Sequence, residues 1–178
     1  DGSVYRLSLA DGSVTRPKIE GKWGFKGTGS IDPRGYPLLY AGQGLNENGN
    51  DKGPWNYHIF DLIQNKEVAT ISGTDEVSHR QDPVGWGAFD SSALVDRASD
   101  TLVEPGENGI VYKAKLNAKF DAKAGTVSVK PELTKMTYRT PISRQYGIES
   151  SAAAWKNLMW ATDNDGNMLC WDARTLEI

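Results

Sequence analysis

Asn108-Gly109-Ile110-Val111-Tyr112-Lys113-Ala114 decides the fold, because the chain carries versions of it four times. The other copies are Asp1-Gly2-Ser3-Val4-Tyr5-Arg6-Leu7, Asn56-Tyr57-His58-Ile59-Phe60-Asp61-Leu62 and Asp165-Gly166-Asn167-Met168-Leu169-Cys170-Trp171. Three of the four open on Asp-Gly or Asn-Gly, pairs that tolerate the positive φ of a tight hairpin turn. Aligning Val4, Ile59, Val111 and Met168 gives spacings of 55, 52 and 57 residues. A near-constant period of that size, built on strands, marks a repeat architecture with one small sheet per repeat.

Outward from this strand the same units recur. A second hairpin arm follows each copy: residues 8–14 turning at Asp11-Gly12, residues 62–71, and Thr126-Val127-Ser128-Val129 after a delay over residues 117–125. The fourth arm begins at Asp172. Ahead of three copies lies an apolar strand, Leu38-Leu39-Tyr40-Ala41, Thr101-Leu102-Val103-Glu104 or Leu158-Met159-Trp160-Ala161. Before that comes a small-residue strand, at residues 29–32, 91–96 and 150–154, suited to an innermost position where sheets converge. The expected fold is all-β, a β-propeller segment of about three to four four-stranded antiparallel blades. Residues 1–178 form a single partial propeller: the outer half of a blade at 1–20, full blades at 21–73 and 84–138, and most of a further blade at 145–178. So few blades do not close a ring. The chain is expected to be a piece of a longer protein, or to close the ring as a homo-oligomer.

Composition agrees. Of 178 residues 38% are hydrophobic and 10% aromatic, with 19 Gly, 8 Pro and 6 Trp, a turn-rich, Trp-rich balance. A net charge of -3 gives no electrostatic footprint for nucleic acid or an anionic membrane. No apolar run is long enough to span a bilayer. The single cysteine, Cys170, excludes an internal disulfide and is expected to be a small buried apolar residue.

The connections entering the inner strands carry a second recurring signature: Lys22-Trp23-Gly24, Arg80-Gln81 leading to Trp86-Gly87, and Arg144-Gln145-Tyr146-Gly147. Such connections gather at the channel mouth. Trp23, Trp86, Tyr146, Lys22, Arg80 and Arg144 are therefore the candidate ligand-binding residues. Aromatic rings stack on sugars, and the cations pair with carboxylates or phosphates. Asp90 and Glu149, just inside the same strands, are a candidate acid–base pair or cation site, weighed against an ordinary structural role. Asp163-Asn164-Asp165-Gly166-Asn167 resembles the start of a calcium loop but lacks the distal Glu, and reads as a hairpin turn. His58 and His79 have no third ligand for zinc, so no metal is expected. Neither Gly27-Thr28-Gly29 nor Gly42-Gln43-Gly44 opens a helix, which excludes a dinucleotide site of the usual kind.

Residues 1–12 and 165–175 resemble the repeat of pyrroloquinoline-quinone-type (quinoprotein-like) propellers, roughly Gly-x-Val-Tyr-Ala-Leu-Asp-x-x-x-Gly, in degenerate form. The family's Thr-Gly-Lys-x-x-Trp continuation does not follow Thr15, Thr70 or Thr175, so no quinone or other cofactor is expected. The resemblance implies a bacterial, secreted or cell-envelope module. It would bind a carbohydrate, an anionic ligand or a protein partner at the channel mouth without catalysis. The alternatives are a lyase or hydrolase acting on an acidic glycan through Asp90 and Glu149, and a purely structural assembly scaffold.

Overall fold

The computed structural model describes residues 4–15, 24–44, 55–73, 89–138 and 147–178, and the structural statements that follow concern these. Aspartate side chains shape the hairpins. Asp61 Oδ1 accepts from the backbone N–H groups of Ile63 and Gln64 at 2.8 and 3.0 Å. Asp121 does the same for Lys123 and Ala124, Asp96 for Ala98 and Ser99, and Asp172 for Arg174 and Thr175. Four residues after each aspartate the backbone crosses to positive φ, at Asn65 (53°), Asp100 (54°), Gly125 (62°) and Leu176 (65°). A carboxylate that captures two backbone donors substitutes for a ladder bond and turns the chain.

The described residues form β-strands and turns, with no helix among them. β1 (Arg6–Leu7) pairs with β2 (Val14–Thr15) as a separate hairpin. β3 (Ser30–Ile31), β4 (Leu38–Gly42), β5 (Asn56–Asp61) and β6 (Lys66–Ser72) form a first antiparallel sheet in chain order. A second sheet begins with β7 (Leu94–Asp96), β8 (Thr101–Pro105) and β9 (Ile110–Lys115). The hairpin of β10 (Lys119–Asp121) and β11 (Thr126–Ser128) intervenes, and β12 (Glu132–Thr137) then completes the second sheet beside β9. β13 (Ala153–Trp155), β14 (Leu158–Thr162) and β15 (Met168–Asp172) make a three-stranded third sheet.

Two sequence expectations are corrected. The outer arm of the second sheet is β12, not residues 126–129, because Asp121 and Gly125 close a local hairpin first. The pairing registers place Tyr57, rather than Ile59, at the position of Val111 and Met168: Gly42 faces Tyr57, Pro105 faces Val111, and Thr162 faces Met168. A two-residue offset leaves the same side chains on the same face, so the repeat pattern survives it.

Strand alternation sends one set of side chains toward each neighbouring sheet. Tyr40, Tyr57 and Ile59 of the first sheet meet Phe89, Leu102, Ile110, Tyr112 and Ala114 in one core. Val103 and Val111, on the opposite face of the second sheet, meet Met159, Ala161, Leu169 and Trp171 in another. Both faces of the second sheet are covered, so every residue of β8 is buried. On the outer face of the third sheet Met168 is 75% exposed. The β10–β11 hairpin reaches back to the first sheet: Phe120 lies 5.6 Å from the Tyr36 ring, and Val127 joins the first core. Arg34 grips Asp32 through two contacts, at 2.9 and 2.6 Å, and also pairs with Asp100 of the second sheet. Burial opposes a charge on Asp32, but Arg34 and the Tyr40 hydroxyl (2.7 Å) hold its carboxyl below the usual range.

Candidate functional site

The six sequence-nominated binding residues, Trp23, Trp86, Tyr146, Lys22, Arg80 and Arg144, lie outside the described residues, as does His79. Asp90 and Glu149 are described, and the pairing registers give them a relation that residue type concealed. Ser30 pairs with Tyr40, Leu94 with Val103 and Ala153 with Trp160, so Ser30, Leu94 and Ala153 are equivalent. Four residues ahead of these stand Lys26, Asp90 and Glu149. Four residues beyond Tyr40, Val103 and Trp160 stand Gly44, Glu107 and Asn164, in the turns after the second strands. Each sheet thus offers two equivalent positions at the same end.

Backbone hydrogen bonds bring these positions together across the sheet boundaries. Phe89 N–H donates to Gln43 O at 2.8 Å, and its counterpart Ile148 N–H donates to Gly106 O at 3.3 Å. Within the third blade, Asn164 N–H donates to Gly147 O at 3.0 Å. Two glycines permit the approach. A Cβ on Gly44 would sit 2.8 Å from Asp90 Oδ1, and one on Gly147 would sit 2.7 Å from the Glu107 carbonyl oxygen.

The polar groups form a chain across three sheets. Lys26 Nζ lies 3.4 Å from Asp90 Oδ2. Asp90, Glu107 and Glu149 each place a carboxylate oxygen within 4.8 Å of the other two. Asn164 Nδ2 donates to Glu149 Oε1 at 2.8 Å. Glu107 is only 1% exposed, and neither its Oε2 nor Asp90 Oδ1 meets a hydrogen-bond donor among the described residues. Burial, then the charges of Asp90 and Glu149, push the Glu107 carboxyl up to about 8. Burial likewise raises Asp90 despite the opposing charge of Lys26. Behind them Glu104, fully buried with its Oε1 on the Ser91 hydroxyl at 2.7 Å, is also pushed up to about 8, chiefly by burial. Oxygen-only donors in this arrangement suit a hard cation or a shared proton.

Other nominated groups have structural partners. Asp163 accepts from the N–H groups of Asp165 and Asn167 at 3.1 and 2.7 Å, making the turn that the sequence implied. Buried His58 contacts Glu67 through Nδ1 and stacks on Phe60 at 5.7 Å. Cys170 is half-buried on β15.

No family model matches the chain, and no curated protein matches it significantly. Solved structures do. A WD40 chain in a crystal structure of the mitotic checkpoint complex superposes with a TM-score of 0.59 at 11% identity, covering 96% of this chain and 43% of its own. BamB from Moraxella catarrhalis, a β-propeller of the pyrroloquinoline-quinone-like type, superposes with a TM-score of 0.55 at 12% identity, covering 99% and 44%. The fold is a β-propeller segment. The three sheets are its blades, and the chain spans less than half the length of either structure. The acidic cluster therefore sits where connections entering the inner strands meet the turns after the second strands, on one face of two adjacent blades.

Proposed function

We propose that this chain is a non-catalytic binding module whose working surface is that face. The observation that carries the reading is the convergence of equivalent positions from three blades, Lys26, Asp90 and Glu149 with Gly44, Glu107 and Asn164, at one end of the sheets. Trp23, Trp86, Tyr146, Lys22, Arg80 and Arg144 precede these same positions in the sequence, and the proposal assigns them to the same surface on spacing alone. A protein or carbohydrate partner fits such a surface. The described part carries three carboxylates against one ammonium group, which favours a cationic or neutral ligand over an anionic one. An extracellular or cell-envelope setting, and closure of the ring by a second copy or by the remainder of a longer chain, are part of the same proposal.

The enzymatic alternative has less support. A general acid needs substrate within hydrogen-bond reach. Glu107, the cluster carboxyl pushed up to about 8, is almost wholly enclosed. Tryptophan fluorescence tests the binding reading, with a neutral oligosaccharide panel and a tetralysine peptide as probes. Binding is expected to disappear in Trp86→Ala and to persist in Trp155→Ala, whose exposed ring lies at the far end of its strand. Equal loss in both variants, or no binding to the parent chain, would favour the scaffold alternative.

A further inference from the structure

Among the described residues, the carboxylates at the boundary between the second and third blades have no counter-charge of their own. At the equivalent boundary between the first and second blades, Lys26 supplies an ammonium group to Asp90. At the next, Glu107 faces Glu149, and the side chain at the position equivalent to Lys26 is itself an acid. The geometry points to a divalent-cation site, calcium in type, formed by Asp90, Glu107 and Glu149 and bridging the two blades. This goes beyond the binding-module reading and stands without it.

Three observations support the assignment. The first is enclosure: Glu107 is 1% exposed, its Oε2 finds no donor among the described residues, and its carboxylate points into the cluster. Burying such an oxygen without a partner is costly unless a proton or a cation meets it. The second is distance. Oxygens at roughly 2.3–2.6 Å from one calcium ion lie at most about 5 Å from one another. The three carboxylates already meet that limit, with one oxygen of each within 4.8 Å of the others. The third is charge. With all three carboxylates ionised, as a bound cation would hold them, they and the Lys26 ammonium leave two negative charges among the described residues, which one divalent ion neutralises. Glu149 is exposed, so it opens the site to solvent and leaves room for water ligands. Gly147 supports the same arrangement: a side chain there would press on the Glu107 backbone at 2.7 Å and on Asn164 Nδ2 at 2.9 Å.

Calorimetric titration of the 178-residue chain with calcium chloride, after exhaustive EDTA treatment, tests the site. One saturable event is expected, with a dissociation constant on the order of 10⁻⁴ M and weaker binding of magnesium, which demands a tighter octahedron. Saturating calcium should raise the melting temperature by about 5 °C. Glu107→Gln and Glu149→Gln should each weaken binding about tenfold or more, while Asp165→Asn, in the nearby hairpin turn, should bind like the parent. The exposed Glu149 keeps the test decisive should the Glu107 variant misfold. No saturable heat up to 10 mM calcium would overturn the site and leave a proton shared between Glu107 and Glu149. Unchanged binding in both glutamine variants, or loss in Asp165→Asn, would overturn it equally. None of these outcomes depends on the oligosaccharide and peptide titrations, so the two proposals stand or fall separately.

Discussion

The two blade boundaries solve one structural problem with different residues. Between the first and second blades the core is aromatic: Phe89 makes edge contacts with Tyr57 at 5.5 Å and Tyr112 at 5.1 Å. At the end of that boundary Lys26 and Asp90 pair within the chain. Between the second and third blades Met159, Leu169 and Trp171 fill the core, and acids meet acids at the same end. The hydrogen bonds from Phe89 to Gln43 and from Ile148 to Gly106 are the same device in both places. Backbone geometry is thus repeated while side-chain charge is not, so the first boundary is complete in itself and the second depends on what occupies it.

The comparison can be broken most directly at Phe89. Phe89→Ala should cost about 3–5 kcal/mol, read as a lowered denaturant midpoint, because a fully buried ring is lost from between two others. A loss below 1 kcal/mol would mean that the first boundary is not held by this aromatic stack. Glu104→Gln comes next and acts in the opposite direction. The folded-state value of Glu104 is about 8 against 4.5 for the free side chain, so its contribution is complete below pH 4.5. Between those values the unfolded chain releases the proton and the folded one keeps it, and stability falls as pH rises. Glutamine removes that fall, so the variant should exceed the parent by about 3 kcal/mol near pH 7 in urea melts across pH 4.5–8. Parallel pH profiles for the two proteins would contradict the assignment. The smallest expected change is Lys26→Gln. Its side chain is 40% exposed, so the loss of the ion pair should cost only about 1 kcal/mol. The same substitution should tighten calcium binding severalfold, because it removes a cation from beside Asp90. Weaker binding would show that Lys26 organises the cluster instead of opposing it.

Much of the fold was legible because strand repeats depend on alternation and turn chemistry, both local. Leu38-Leu39-Tyr40-Ala41 and its two counterparts occupy β4, β8 and β14. Gly109 and Gly166 take the positive φ that Asn-Gly and Asp-Gly promise. The outer arm of the second blade was misread because residues 126–129 alternate as a strand should, and a strand's partner is not written in its own residues. Nothing in the sequence says that Thr126–Ser128 pairs with Lys119–Asp121 while Glu132–Thr137 pairs with β9. The site was half legible. Asp90 and Glu149 could be found from their place near the inner strands. Lys26 escaped because it shares a position with them and carries the opposite charge, so similarity of residue type conceals the equivalence. Glu107 escaped because glutamate in a turn is ordinarily solvated, and only the stacking of the next blade encloses it. The nominated ring of Trp23, Trp86 and Tyr146 falls outside the described residues and rests on sequence spacing alone.

In repeat proteins, stability is to first order a sum of each unit's own stability and its coupling to the next. The β10–β11 hairpin makes those couplings unequal. Its residues are spent in the second blade, yet half-buried Phe120 meets Tyr36 of the first, and Val127 joins the core that the two blades share. Lengthening a connection adds little loop-closure entropy, since each doubling costs about 0.6 kcal/mol. The insertion therefore adds a contact between the first two blades, and no counterpart of it is seen between the second and third among the described residues.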